Sequence, residues 1–471
     1  MNGIQRAELK DSWPAWLGVS LVFIVTNASL VLAALVRSSG MRAVARSQMT
    51  HEQSAAFTIT PVENMIFCAI VGAVVIGSAT ELVMASRRAA LARLALAGAT
   101  PRQILCLVLG QIAAVSLMAS AIGSAIAYAM LTPALAYLAH ERSATDVAVP
   151  TPDAAFAPLP ACTAAAFALA VALIGGLRHA IIASRVDPLD ALRQPTGMAH
   201  ETRMTIPRWL SGALLTGVIV ALFLGLAPIA QLSGKEAASN MLILSMAALF
   251  IAGATFACFA PLVVRPLTRL WTTLLPLSSP SWQLARRITI ARAPRLIRSV
   301  IPIMLVIGTA AGLISITDTL VAVLHEIGFT QPLSGTGYQT FLVLLGLPLL
   351  VAISGMVGSL IMMARQRDTE LALLGIAGAD PRQRLVIPAL EALILVGTSA
   401  LMGIGMMLVS IGLLAVGFPL AGVPFAIRPS IPAFAVALAV LSLVTIATTV
   451  LPTLAARSRP EPSVISQLRD A

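Results

Sequence analysis

Ten apolar stretches, each long enough to cross a lipid bilayer as a helix, leave this chain very few ways to fold. They run over about 14–36, 62–84, 103–137, 158–180, 209–230, 239–263, 299–320, 339–363, 384–416 and 430–452. A helix rising 1.5 Å per residue needs roughly 20 such residues to span the hydrocarbon core. Backbone polar groups find no water there, so a spanning structure is a helix or a closed barrel. The ten-residue alternation of barrel strands is absent. Only 11% of the 471 residues are charged, against roughly a quarter in soluble domains. The expectation is an all-α polytopic membrane protein of about ten spans.

Basic residues set the orientation. With the N-terminus in the cytoplasm, only Arg37, Arg42, Arg46, Arg142, Lys235 and Arg428 of the 31 Lys and Arg fall outside, leaving 25 inside. That is the positive-inside bias, and it puts both termini in the cytoplasm. The five tryptophans, Trp13, Trp16, Trp209, Trp271 and Trp282, all lie near that boundary and are expected as interfacial anchors. The formal charge of +11 is then explained by topology and contact with membrane lipids, with no call for nucleic acid. The first stretch exceeds a signal-peptide core and meets Arg37 without a small-residue cleavage pattern, so it is expected to remain as a span. Cys68, Cys106, Cys162 and Cys258 each fall within a span and read as small apolar residues.

The chain also repeats itself. A shift of 280 residues aligns 85–103 with 365–383, and ten of the nineteen positions are identical, ending in GATPRQ (98–103) and GADPRQ (378–383). The tails RVDPLDALR (185–193) and RPEPSVISQLR (459–469) share a basic start, an acid-Pro pair and a Leu-Arg end. The layout is four helices (1–193), a two-helix spacer (194–284) and four helices again (285–471). Both copies keep one orientation, so the repeat is parallel, about an axis along the membrane normal.

The repeated hexapeptide spells a corner. Gly98 and Gly378 stand where a helix stops on a left-handed residue. Thr100 and Asp380 are N-caps, Pro101 and Pro381 suit the first helical position, and Gln103 and Gln383 complete capping boxes. In the short helix before each corner, Leu91, Leu94 and Gly98 share a face, as do Leu371, Leu374 and Gly378. An amphipathic helix at the cytoplasmic membrane surface, made twice, is expected. Capping does not explain why Arg87 recurs as Arg367. Two equivalent cytoplasmic helices under a pseudo-twofold suit a two-subunit partner.

In these residues the chain resembles the FtsX-like permease family, the membrane subunits of MacB- and LolCDE-type ABC transporters. RQRDTELALLGIAGADPRQ (365–383) follows the family pattern of basic cluster, acid, apolar pair and Leu-rich turn, with Glu370 at the acid position; ASRRAALARLALAGATPRQ (85–103) has Ala90 there. The basic run ARRITIARAPRLIRS (285–299) is similar to the interfacial helix before the first span of such a unit. The four-two-four order is similar to bacitracin-efflux type permeases, although the loops at about 37–61 and 321–338 are too short to hold an external domain. The resemblance implies a bacterial cytoplasmic-membrane permease docked to two copies of an ABC ATPase. The implied coupling residues are Arg87, Arg88, Arg93, Gly98 and Arg102 in the first copy. In the second they are Arg365, Arg367, Asp368, Glu370, Gly378 and Arg382.

Catalysis by this chain is not expected. Neither of its lysines, Lys10 and Lys235, follows a glycine-rich phosphate loop, and HExxH, GxSxG and paired-Cys motifs are absent. ATP and Mg would be bound by the partner ATPase, and no cofactor by this chain. Inside the spans, Glu391 and its repeat mate Gln111 are the polar positions of interest, because burial of such groups is costly. An acid about 15 Å along its helix from Pro381 would also suit an ion-gradient-driven secondary transporter. A non-transporting regulator of the same family is the third reading. Gly308 and Gly312 form a GxxxG expected at a close helix contact.

Overall fold

The computed structural model describes residues 2–49, 51–86, 91, 94–96, 98–143, 149–184, 204, 206–229, 234–275, 279–291, 293–326, 346–359, 380, 383–422 and 431–456. Among them there is no strand. The helices in chain order are α1 (Asn2–Ala45), α2 (His51–Thr58), α3 (Thr60–Ser86), α4 (Pro101–Ser143) and α5 (Pro158–Ser184). They continue as α6 (Ile206–Leu224), α7 (Leu226–Ile229), α8 (Gly234–Leu274), α9 (Pro280–Ala291) and α10 (Ala293–Glu326). The last three are α11 (Gly346–Ser359), α12 (Gln383–Leu420) and α13 (Ile431–Ala456).

Seven of these, α1, α3, α4, α6, α8, α10 and α12, are long and apolar enough to cross a membrane. Shorter apolar runs, Pro158–Ile174, Gly346–Ser359 and Phe434–Ile446, occupy the remaining three expected positions. The helices overshoot the boundaries read from hydropathy. The third stretch was expected to end at 137 and the sixth at 263, yet α4 runs to Ser143 and α8 to Leu274. Loss of apolar character marks where a helix leaves the lipid, not where it stops; a stop needs a capping signal. At 44 and 43 residues, α1 and α4 are each about 65 Å long, twice the hydrocarbon thickness.

The loop at 37–61 therefore contains no domain, only the end of α1 and the eight-residue α2. It is knitted tightly nonetheless. A Cβ on Gly40 would lie 2.7 Å from the Phe57 carbonyl oxygen, so α2 folds back against α1 at a glycine. The Ala155 amide donates to Ser39 Oγ at 2.9 Å. The exposed Arg46–Asp153 pair at 3.6 Å adds little, as such pairs are screened by solvent.

Packing follows the repeat. α1 lies along α4, and α10 along α12, as the most extensive contacts in each unit. Lipid is as apolar as leucine, so helices associate through close packing and hydrogen bonds, and small residues mark where they do. A Cβ on Gly123 of α4 would sit 3.0 Å from the Ala28 nitrogen of α1. A Cβ on Gly403 of α12 would sit 3.0 Å from the Gly308 nitrogen of α10. Both partners are shifted by 280, so one contact is made twice at atomic detail. Gly308 and Gly312, the expected GxxxG, face Gly403 and Met406 on one side and Leu249 of α8 on the other.

Tryptophan placement departs from expectation. Trp16 and Trp282 are buried, and Trp271 is half-buried with its indole N–H donating to Thr398 Oγ1 at 3.0 Å. Trp209, exposed on α6, alone among these four has the lipid-facing character of an anchor; the Trp13 side chain lies outside the described residues. Position near a membrane boundary thus says nothing about which way a ring points. The indole must find a partner when it turns inward, and Thr398 supplies one for Trp271.

Candidate functional site

The first corner is built as its sequence dictates. Residues 94–96 are helical, and Gly98 stops them with φ +93°, a region that costs residues bearing a Cβ. The Ala99 amide donates back to the Leu94 carbonyl and the Gly98 amide to that of Ala95, both at 3.0 Å, which is the Schellman pattern. The next helix starts at Pro101. The Thr100 amide donates to Gln103 Oε1 at 2.9 Å, and the Gln103 amide to Thr100 Oγ1 at 3.4 Å. These reciprocal bonds are the capping box. At the second corner the Asp380 amide donates to Gln383 Oε1 at 3.2 Å, the matching bond of the second copy.

The apolar face before the first corner does not lie on lipid. Leu91 is buried in the main core, and Leu94, Ala95 and Ala99 pack against it. Leu96, Gly98, Thr100, Pro101, Arg102 and Gln103 are exposed. The corner is thus anchored to the protein by its leucines and presents a polar edge outward. Arg87, Arg88, Arg93, Arg365, Arg367, Asp368, Glu370, Gly378 and Arg382 lie outside the described residues. α9, from the basic run, packs on α12, with buried Trp282 and Ala285 clustered against Ile387 and Ile394. Its Arg286 donates from Nε to Thr272 Oγ1 of α8 at 3.0 Å.

Where the two units meet, the repeat axis can be located by residue. A Cβ on Gly355 of α11 would overlap Val75 Cγ1 of α3, and these positions are repeat mates, 280 apart. A residue that touches its own equivalent lies on the twofold axis of an isologous interface. Beside it, a Cβ on Gly358 would come 2.6 Å from the Gly18 carbonyl oxygen of α1. The contact between α3 and α11 thus marks where the two copies of the repeat meet.

A family model for the FtsX-like permease C-terminal region matches the chain twice, at residues 64–188 and 342–460, just over half of its length. The chain belongs to the FtsX-like permease family. The first match begins within α3 and the second four residues before α11, and both corners fall inside. No curated protein matches the chain. Family membership makes this FtsX-like permease a multi-pass membrane protein of the ABC-permease type.

Inside the permease, Gln111 is buried and Glu391 half-buried, and both are engaged in interactions within the protein. Two polar features escaped the sequence reading. Asn27 of α1 bridges to α4, donating from Nδ2 to Ser120 Oγ at 3.1 Å and accepting from Ser124 Oγ at 3.4 Å. Thr398 of α12 receives the Trp271 bond and lies 3.1 Å from Thr268 Oγ1 of α8. Neither group repeats, since Asn27 becomes Ile307 and Thr398 corresponds to Met118. Comparing the copies position by position would have exposed them.

Proposed function

We propose that this chain is the permease subunit of an ABC exporter, with both transmembrane halves fused. Two copies of a separate ABC ATPase, carrying ATP and Mg, dock on its cytoplasmic side and drive export or extraction of an amphipathic, lipid-like or peptide substrate. It lies in the bacterial cytoplasmic membrane with both termini inside. The supporting observation is the first corner, with its helix stop, exposed polar edge and capped entry into a helix of 43 residues, together with the matching capping bond of Asp380 to Gln383 at the start of a helix of 38 residues. A capped corner continuous with a long helix couples its displacement to that helix. Displacement at the corner is therefore carried along α4 or α12 across the membrane, and both corners together match the twofold of an ATPase dimer. An ion-gradient carrier would want an ionisable group in each half, and Gln111 is neutral where Glu391 is acidic.

The test is to purify the chain with an ABC ATPase encoded by the same organism and measure ATP hydrolysis. Stimulation is expected with the intact chain. Deleting 86–97 or 366–377 is expected to abolish it in each case while the spans still insert. Transport by the lone chain in proteoliposomes, driven by a proton gradient without ATP, would overturn the proposal.

A further inference from the structure

The spacer breaks the symmetry of the two units. α8 packs against α12 and α10 of the second unit and also against α3 of the first, where Phe250 stacks on Phe67 with centroids 4.4 Å apart. It fills a lateral cleft bounded by three helices. The repeat places an equivalent cleft on the other side, bounded by α4, α1 and α11, and among the described residues no helix fills it.

All three walls record the vacancy. Thr398, Met402, Met406 and Ser410 form one stripe of α12, and none is more than 2% exposed. Their repeat mates on α4 are Met118, Ile122, Ile126 and Met130, exposed by 42–51%. On α10, Leu305, Gly308 and Gly312 are buried, whereas their mates Val25, Ala28 and Leu32 on α1 are half-buried. On the third wall, buried Phe67 of α3 corresponds to half-buried Leu347 of α11.

The residues that differ indicate what the open cleft holds. α12 receives α8 through holes and hydroxyls. A Cβ on Gly397 would lie 2.8 Å from the Trp271 ring, and one on Gly405 2.9 Å from that of Phe256. Thr398 joins Thr268 and Trp271, and Ser410 Oγ donates to the Ser245 carbonyl at 2.9 Å. On α4 the two glycines are replaced by Leu117 and Ala125, and the two hydroxyl residues by Met118 and Met130. Helices associate in a bilayer through close backbone approach and hydrogen bonds; the stripe of Met118, Ile122, Ile126 and Met130 has no glycine and no hydrogen-bonding side chain, although the exposed Ala121, Ala125 and Ala129 run beside it. Its flexible Met and aliphatic chains instead adapt to a conformable apolar partner.

We propose that the cleft between α4, α1 and α11 seats the acyl chain of a membrane phospholipid, on the first unit's side only, while α8 seals the other. This holds whether or not the chain transports anything. The test reconstitutes the full chain in phosphatidylethanolamine–phosphatidylglycerol vesicles doped with a phospholipid carrying a diazirine in its acyl chain. Labelled residues are mapped by mass spectrometry after illumination. Labelling at Ile122 and Ile126 is expected to exceed, several-fold, that at Leu214 of α6, although Leu214 is more exposed at 68%. Ile126→Trp is expected to lower the α4 signal to the α6 level, and Leu214→Trp to leave it unchanged, with both variants melting as the parent does. Equal labelling at the two sites, or an excess untouched by Ile126→Trp, would mean ordinary surrounding lipid and overturn the proposal. A cross-linked dimer through α4 would also overturn it, assigning the cleft to a second copy.

Discussion

Substituting Gly355 by Val probes the repeat axis directly. A single Cβ there already overlaps Val75 Cγ1, and Val75 is fully buried, so two branched side chains would compete for one space. Overpacking of this kind costs typically about 1–3 kcal/mol. Val75→Gly alone removes a buried isopropyl group and puts glycine in a helix interior, a loss of about 2–4 kcal/mol. Because the positions are repeat mates facing across an axis, the double variant Val75→Gly/Gly355→Val returns one valine and one glycine to the same contact. Thermal unfolding in detergent, followed by light scattering and tryptophan fluorescence, should rank the double variant above both singles. The expected coupling is about 1–3 kcal/mol in favour of the double, within the range of contacting pairs. A double variant no more stable than the worse single would refute the placement of the axis.

Other outcomes follow from the same contacts. Thr398→Val keeps the shape but removes the acceptor of the Trp271 N–H and the partner of Thr268; at about 0.6 kcal/mol for each intramembrane bond, loss of about 1 kcal/mol is expected in the same unfolding assay. Gly98→Ala should destabilise the first corner by about 1 kcal/mol, because φ is +93° there, and should lower partner ATPase stimulation. Glu370→Lys should impair stimulation more than Ala90→Lys, since it reverses a charge pair at the partner surface instead of adding a charge; equal effects would reduce Glu370 to a solvated residue. Single cysteines at Gln53 and Ser334 should react with impermeant maleimide from outside, and those at Ser86 and Gln366 only from inside.

Features written in local chemistry are legible in the sequence. Gly98, Thr100 and Gln103 specify a stop and a start by residue type alone, and the hydrogen bonds are made as spelled. Apolar length placed the seven helices long enough to span and the three shorter apolar runs, but not their ends, because α4 and α8 continue past the point where hydropathy falls. What the sequence left dark depends on which helix faces which. Trp16 and Trp282 sit near a boundary in sequence and turn inward in space. Leu91 reads as lipid-facing on an amphipathic helix, yet it inserts into the core. The meeting of Val75 with Gly355 requires an axis, and an axis is a property of assembled units. The role of α8 is of the same kind: a spacer in sequence, it is a wedge between the units in the fold.

The stoichiometry of the complex with the proposed ABC ATPase tests the central claim most directly. Native mass spectrometry of the detergent-solubilised assembly, trapped with a non-hydrolysable ATP analogue, should show one permease with two identical ATPase subunits. Because each corner is one of a pseudo-twofold pair, deleting 86–97 or 366–377 should reduce that ratio or dissociate the complex. A permease that purifies without any ATPase, and carries substrate down an ion gradient alone, would contradict the account.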